Sequence, residues 1–330
     1  MSRFLPVVFL LGPTAVGKSA VAIALAERLA AEIVSADSRL LYRGMDIGTA
    51  KPSRDARARV CHHLIDVADP EDTWSLAQYR QAALAALAEI SARGHLPLVV
   101  GGTGQYVRAL MQGWSPAPRP LDDSLRQELE AFARENGPKA LHDRLAALDP
   151  ASAARIDARN VRRVARAVEV TLTTGRPASA QRAATPPPFP MLPLGLRLPR
   201  DELYARVDAR VEAMLAEGWL EEVRLLLAGG LRQDHPAMSA IGYRPLAHHL
   251  LGRCTLDQAR VEIRRSTRVL VRRQANWFKA SDTGIAWFEA RPGVDAALEH
   301  HILAWLGSLT VETTPEEGGR RSRPGPRGRR

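Results

Sequence analysis

Pro6-Val7-Val8-Phe9-Leu10-Leu11-Gly12-Pro13-Thr14-Ala15-Val16-Gly17-Lys18-Ser19 is the stretch that decides the fold. Its first six residues form an apolar run of strand length that ends at a glycine. Such a run reads as a parallel strand buried on both faces. Its last eight residues satisfy G-x-x-x-x-G-K-[ST], and the Ala/Leu-rich segment 19–30 that follows reads as a helix. Strand, glycine loop and helix are the context this motif requires. Glycines let the backbone turn its N–H groups inward, and the helix N-terminus adds to them. Gly12, Pro13, Thr14, Ala15, Val16 and Gly17 thereby wrap an anion. Lys18 supplies a point charge and Ser19 a hydroxyl for a magnesium ion. The loop specifies a diphosphate or triphosphate without saying which. Kinases, nucleotide hydrolases and enzymes that expel diphosphate would all use it.

Working outward, the strand–helix rhythm continues. Segment 32–37 reads as a second strand, 38–60 as a long active loop with some helix, and 62–67 as a third strand. Segment 75–93 reads as a helix stopped by Gly94. Segment 96–100 is a further apolar strand, running into Gly101-Gly102-Thr103-Gly104 and a helix to Met111. This alternation implies an α/β fold with a parallel sheet covered on both faces. The rhythm stops at Ser115-Pro116-Ala117-Pro118-Arg119-Pro120. Residues 121–176 read as helices only, at 122–136, 138–148, 150–157 and 160–174. Pro186-Pro187-Pro188-Phe189-Pro190 is a second boundary. A strand at 193–198 resumes, with helices at 201–216, 218–228, 245–251 and 256–279, a strand at 285–289 and a helix at 294–307. The predicted organisation is a core in two parts, 1–117 and 191–311, interrupted by an all-helical insertion, 118–190, and followed by a tail, 312–330.

Composition bounds the partners. With 330 residues, 45% of them hydrophobic, the chain can build a real core, which excludes global disorder. The net charge of +10 points to a polyanionic partner. Of the 46 basic side chains only Lys18, Lys51, Lys139 and Lys279 are lysines, a bias that a GC-rich coding sequence also produces. The tail carries six Arg against three Glu among Gly, Pro and Ser, and reads as disordered. Cys61 and Cys254 lack CxxC partners, which speaks against zinc and implies no disulfide. His62-His63 and His248-His249 lack metal spacing and read as structural. The apolar run at the N-terminus enters the glycine loop with no cleavage site, and no stretch approaches the roughly 20 residues that span a bilayer. The expected compartment is the cytoplasm.

The second strand ends in Asp37 and continues Ser38-Arg39-Leu40-Leu41-Tyr42-Arg43-Gly44-Met45-Asp46-Ile47-Gly48-Thr49-Ala50-Lys51-Pro52. This segment resembles the signature of the tRNA dimethylallyltransferase family, also called tRNA isopentenyltransferases. The phosphate loop resembles that family's GPTAxGKS form, and His63-Leu64-Ile65-Asp66 follows at a similar distance. Val100-Gly101-Gly102-Thr103-Gly104-Gln105-Tyr106 resembles its VGGTGLY element. Ala240-Ile241-Gly242-Tyr243-Arg244 and Thr267-Arg268 through Arg272-Arg273-Gln274 to Trp277-Phe278-Lys279 resemble its two C-terminal motifs. The likeness covers roughly residues 6–290. Many members carry Gln where Leu40 stands, so that glutamine's contact with RNA is not carried over.

The resemblance implies a P-loop NTPase-like parallel sheet core with the helical insertion as a tRNA-binding wall. It implies transfer of a dimethylallyl group from dimethylallyl diphosphate to N6 of the adenosine 3′ to the anticodon, in tRNAs reading codons that begin with U. The partners would be Mg2+, the diphosphate donor and the anticodon stem-loop, and nothing demands more than a monomer. The leaving diphosphate would meet the loop amides, Lys18 and arginines. The adenine amine is a poor nucleophile and needs a base. The resemblance gives that role to Asp37, with magnesium positioning as the alternative. It places Thr103 against the target nucleotide or diphosphate, with turn capping as the alternative. Asp37, Ser38, Arg39, Leu40 and Thr103, the stretch Arg162-Arg163-Val164-Ala165-Arg166, and Ser239 with Ala240, Ile241, Gly242, Tyr243 and Arg244 are the implied tRNA contacts. Arg126 is a weaker candidate, and Tyr243 either stacks on a base or packs in the core. Arg159, Arg162, Arg163 and Arg166 share one helix face. Arg264, Arg268 and Arg272 share another over about 12 Å. Of these, Arg268 and Arg272 are candidates for the diphosphate oxygens, with a surface stripe as the alternative. A P-loop kinase, a prenyltransferase of free adenine nucleotides and a non-catalytic RNA binder are the competing functions. The long basic insertion argues against the free-nucleotide reading.

Overall fold

The computed structural model describes residues 5–114, 123–181, 184, 185 and 187–311. Six strands, β1 (Val7–Leu11), β2 (Ala31–Ser35), β3 (His62–His63), β4 (Leu96–Gly101), β5 (Met191–Arg197) and β6 (Ala286–Glu289), form one sheet. Their order is β3-β2-β4-β1-β5-β6 and every pairing is parallel. Parallel neighbours need crossovers, and helices α1 (Lys18–Arg28), α2 (Arg54–Arg59), α3 (Leu76–Ala92) and α4 (Gly104–Met111) run between or after the first four strands. The central strand β1 is buried along its whole length, as its unbroken apolar run requires. Val7, Phe9 and Leu11 face one layer with Tyr79, Leu87 and Ile90 of α3. Val8 and Leu10 face the other, with Ala22 and Leu25 of α1. Each such side chain contributes about 1.5–3 kcal/mol relative to exposure. Helix α3 starts where Ser75 and Gln78 close a reciprocal capping box.

The expected third strand, 62–67, is only two residues long. Leu64 and Asp66 adopt positive φ, 61° and 56°, which no strand residue does. The chain then folds back on the active loop, where Val67 N–H donates to Leu41 O at 2.9 Å. The Asp66 carboxylate anchors this turn by pairing with Lys51 at 2.5 Å and Arg57 at 2.6 Å.

The insertion contains α5 (Asp123–Asn136), α6 (Pro138–Leu148), α7 (Pro150–Ala153) and α8 (Val161–Thr174). The helix expected at 150–157 closes after one turn. Asp157 then binds the backbone and guanidinium of Arg159, and Asn160 caps the next helix. The four helices enclose their own core of Leu129, Leu141, Leu145, Val164 and Val168. A bridge between Trp114 and Ala184, with Thr185 N–H donating to Gly113 O at 3.0 Å, ties the insertion's neck. The proline-rich stretch 115–120, Pro186 and the tail 312–330 lie outside the described residues.

A third cluster joins α9 (Arg200–Ala216), α10 (Trp219–Ala228), α11 (Tyr243–Leu250) and α12 (Leu256–Trp277) around Trp219 and Tyr243. Helix α13 (Val294–Val311) packs Leu298 and Ile302 on the α1 side of the sheet. Among the described residues, no helix is long and apolar enough to cross a membrane.

Asp149 carries the insertion's internal hydrogen bonding. It is 1% exposed and accepts from Ser152 N–H at 3.0 Å, Ser179 N–H at 2.7 Å and Ser179 hydroxyl at 2.6 Å. Asp149→Ala removes the partner of the half-buried Ser179 N–H and hydroxyl and the side-chain acceptor of Ser152 N–H, and is expected to cost about 1–3 kcal/mol. Urea denaturation checks this; a loss below about 0.5 kcal/mol, the scale of a neutral surface change, would contradict it.

Candidate active site

The C-terminal ends of β1, β2 and β4 open on one cavity of about 460 Å³. Parallel sheets bind ligands at this edge because the loops there splay apart. The loop after β1 holds its shape through Gly12, whose φ is +150° and whose missing Cβ would stand 2.7 Å from Leu196 O. Helix α1 begins at Gly17 with no side-chain cap and no acidic residue in its first turn. Its N-terminal amides and dipole therefore favour an anion from the cavity. Lys18 Nζ donates to Pro13 O at 2.7 Å. Burial pushes the Lys18 ammonium down to about 8, with Asp37 opposing and Arg210 adding to the shift. The Ser19 hydroxyl belongs to the same wall.

Asp37 stands one residue beyond the last ladder bond of β2, where Ala36 N–H donates to Val100 O at 2.7 Å. Arg39 N–H donates to its Oδ1 at 2.9 Å, which fixes the carboxylate over the turn. Thr103 N–H donates to Ala36 O at 3.2 Å, and the Thr103 hydroxyl accepts from Ser38 N–H at 3.1 Å. The two turns are therefore stitched to each other. Gly101 is obligatory here, since a Cβ would run into the Ala36 carbonyl. Below them the rings of Tyr79 and Tyr106 stack at 3.7 Å, and Tyr79 hydroxyl donates to Ser35 O at 3.2 Å.

Three side chains that the sequence reading left without a role complete the site. Gln274 of α12 is buried; its Oε1 accepts from Thr14 N–H at 2.8 Å and its Nε2 donates to Gly102 O at 3.1 Å. It clamps the phosphate loop to the Thr103 turn. Its sequence signals are its place in a C-terminal motif of the family and an uncharged polar residue among arginines, and neither states its role. Arg206 and Arg210, spaced by four on α9, line the cavity beside Lys18. Burial pushes the Arg210 guanidinium down, and Asp37 works the other way.

The loop from 38 to 52 is held from both ends. Lys51, its side chain 2% exposed, pairs with Asp46 at 2.6 Å and with Asp66. Glu222 of α10 accepts from the N–H groups of Asp46 and Ile47, both at 2.7 Å, of Gly48 at 3.2 Å, and from Tyr243 hydroxyl at 2.7 Å. Nothing in the sequence around Glu222 marks this role.

The remaining candidates separate by burial. Leu40 lines the cavity. Arg39 reaches across to Ser239, donating to its hydroxyl at 3.0 Å, so these two implied tRNA-contact loops meet. Ser239 and Arg244 are exposed and Ile241 is half-buried, whereas Ala240, Gly242 and Tyr243 are buried. Tyr243 packs edge-on against Trp219 at 5.9 Å, so it is a core residue and not a base platform. On α8, Arg162 and Arg163 are exposed. Val164 and Ala165 are fully buried in the insertion core, which withdraws their side chains from any RNA. Arg166 leans back to the buried Glu169 at 3.1 Å. Arg126 is half-buried on α5. Arg268 and Arg272 do not reach the phosphate-loop cavity. With Arg264 and Tyr204 they line a separate groove between α9 and α12, where Asp208 holds Arg268 at 2.5 Å and Glu212 holds Arg264 at 2.7 Å. The helix face was read correctly as one stripe, but its acidic neighbours turn it toward α9.

Residues 40–281 match the family model described as IPP transferase. A tRNA dimethylallyltransferase of Roseiflexus sp. (strain RS-1) is 51% identical over 278 residues, covering 83% of this chain and 90% of the relative. One of Thermomicrobium roseum is 49% identical over 294 residues, covering 89% of each. Among solved structures, the tRNA isopentenylpyrophosphate transferase of Bacillus halodurans superposes with a TM-score of 0.70 at 37% identity, covering 94% of this chain and all of that one. A eukaryotic dimethylallyltransferase acting on tRNA superposes at 0.77 with 23% identity over 95% of this chain and 81% of that one, a likeness of fold.

The depressed lysine sets a pH dependence. Below pH of about 8 the free protein holds Lys18 charged and attracts an anion; above it, binding requires proton uptake. The affinity ratio of wild type to Lys18→Gln for inorganic diphosphate is therefore expected to be largest below pH 8 and to shrink above it. Taking the ratio cancels the ligand's own titration. Calorimetric titrations between pH 6.5 and about 9.5, spanning the shifted lysine, check this; a constant ratio would contradict it.

Proposed function

The chain belongs to the IPP transferase family, and we propose how its residues divide the labour of tRNA dimethylallylation. The donor is dimethylallyl diphosphate, and the acceptor is the N6 amine of the adenosine 3′ to the anticodon in tRNAs reading UNN codons. The C1–O bond of the donor breaks as the N6–C1 bond forms. Diphosphate leaves, and the amine gives up one proton. The observation that carries this reading is the pairing of two features in one cavity. An uncapped anion cradle and Asp37 both line it, and the turn that follows Asp37 is tied through Ser38 to the Thr103 hydroxyl.

The loop amides, Lys18, Arg206 and Arg210 hold the departing diphosphate, where charge develops in the transition state. Asp37 takes the N6 proton, and the Arg39 N–H held by its Oδ1 fixes the carboxylate's orientation. General-base help of this kind is worth about 10²–10⁴ in rate. Thr103 orients the nucleotide or the bridging oxygen. The oxygen donors offered here, the Ser19 hydroxyl and the diphosphate itself, are the hard set that Mg2+ prefers. Bound there, Mg2+ would neutralise diphosphate charge.

An adenosine in a folded loop must leave its stack, at a cost of a few kcal/mol. The Arg39–Ser239 contact, the exposed Arg244 and the Arg162–Arg163 face of the insertion supply the surface that would stabilise the opened loop. With tRNA as substrate, a monomer in the cytoplasm suffices.

Incubation with labelled dimethylallyl diphosphate and unmodified tRNA tests the reading. Label is expected in the tRNA, and none in a transcript with guanosine at the position 3′ to the anticodon. Equal labelling of the two, or no labelling of either, would overturn it. Arg163→Ala is expected to weaken tRNA binding and lower its log–log salt slope by about 1. Filter binding across a salt series reads this, and an unchanged slope would remove Arg163 from the contact.

A further inference from the structure

On the face of the sheet away from the catalytic cavity, two segments that are distant in sequence bring together a thiol, an imidazole and a carboxylate. Ile33 and His62 pair across β2 and β3 and line the catalytic cavity. Alternation along the strands sends their neighbours Glu32, Cys61 and His63 to the opposite face. There, Glu32 is 5% exposed. His63 Nε2 lies 2.7 Å from its Oε2, and Cys61 Sγ lies 3.5 Å from the same imidazole nitrogen. All three donor atoms fall within 4.8 Å of one another. We propose that Glu32, Cys61 and His63 form a binding site for a borderline-soft divalent cation, with zinc the fitting ion, that staples the edge strand β3 to β2.

The geometry is close to what zinc needs. Bond lengths of about 2.3 Å to sulfur and 2.0–2.1 Å to nitrogen give a tetrahedral S···N edge of about 3.5 Å. The Cys61–His63 separation already has that value. The His63–Glu32 edge is at hydrogen-bond length and opens by about 0.6 Å to reach a zinc-bound N···O edge. The far oxygen of Glu32 is held by a second layer: Arg93 Nε donates to Oε1 at 3.0 Å and His95 Nδ1 at 2.7 Å. Such outer partners orient a ligating carboxylate. Arg93 also contacts Oε2 at 2.8 Å, but a carboxylate oxygen has two lone pairs and accepts both arginine and metal. With Arg93 holding both oxygens, Glu32 accepts, and His63 Nε2 is assigned the hydrogen between them. Metal binding moves that proton to Nδ1 and releases one proton from the Cys61 thiol; no oxidant or reductant takes part. Water completes the coordination.

The spacing Cys-His-His gave no zinc signal because two of the three donors stand only two residues apart and the third lies 29 residues upstream of Cys61. Only the β2–β3 register joins them.

The test uses the full chain, stripped with chelator and titrated with Co2+ and then Zn2+. About one metal per chain is expected to survive desalting, with a thiolate-to-cobalt charge-transfer band in the near ultraviolet. Cys61→Ser is expected to abolish the band, and Cys254→Ser to retain it. His63→Gln, which keeps a hydrogen bond to Glu32, is expected to lose it too. Unchanged tRNA prenylation by Cys61→Ser shows that the fold survives. Metal retention below a tenth of an equivalent in wild type, or a band that persists in Cys61→Ser, would overturn the site.

Discussion

A small, highly charged anion can be held in a protein only where fixed dipoles replace its water, and that constraint organises this molecule. The amides at the start of α1 have no side-chain cap, and the lysine beside them is desolvated enough to fall to about 8. Both features are costly while the cavity holds only solvent, and both become favourable when diphosphate is bound. The strained turn at Gly12 exists to bring them together, because β1 must pass close to Leu196 of β5 before the loop wraps. A buried parallel sheet supplies the rigidity: its strand ends cannot move apart without breaking the ladder on both sides.

The reacting groups depend on that cradle through a chain of hydrogen bonds. Gln274 joins Thr14 to Gly102, the Gly101–Thr103 turn joins Ala36 and Ser38, and Ser38 follows Asp37. A shift of the phosphate loop is thereby transmitted to Thr103, and the fold sets the distance between the cradle and Asp37. On the outer side, one buried and one half-buried charge hold the 38–52 loop. Lys51 pins it to Asp66, and Glu222 collects three of its backbone N–H groups. Removing Asp66 would leave the buried Lys51 ammonium with only the exposed Asp46 as its ionic partner.

How much of this was legible in the sequence follows from how local each signal is. The phosphate loop, its strand and its helix were legible because motif, apolar run and periodicity coincide within 25 residues. The insertion was legible from proline-rich boundaries and the loss of strand patterning. The third strand was misjudged because the backbone of Leu64 and Asp66 is set by a distant lysine and not by local propensity. The arginine stripe of α12 was found, but its direction was not, since Asp208 and Glu212 lie on another helix. Gln274, Arg206 and Glu222 reach the loops of the site across 172 to 260 residues, and no window along the chain contains both ends of such contacts. Tyr243 was ambiguous in sequence for a different reason: an aromatic ring with a polar tip suits a base platform and a core equally, and only the Glu222 partner decides.

The central claim is that Asp37 acts on the proton of the amine, while the cradle acts on the diphosphate. Single-turnover transfer by Asp37→Asn, measured alongside donor and tRNA affinities, separates the two. The account predicts affinities within about threefold of wild type, a free-energy change below 1 kcal/mol, and a transfer rate lower by about 10²–10⁴. A transfer rate near that of wild type, or a loss explained wholly by weaker donor binding, would contradict it.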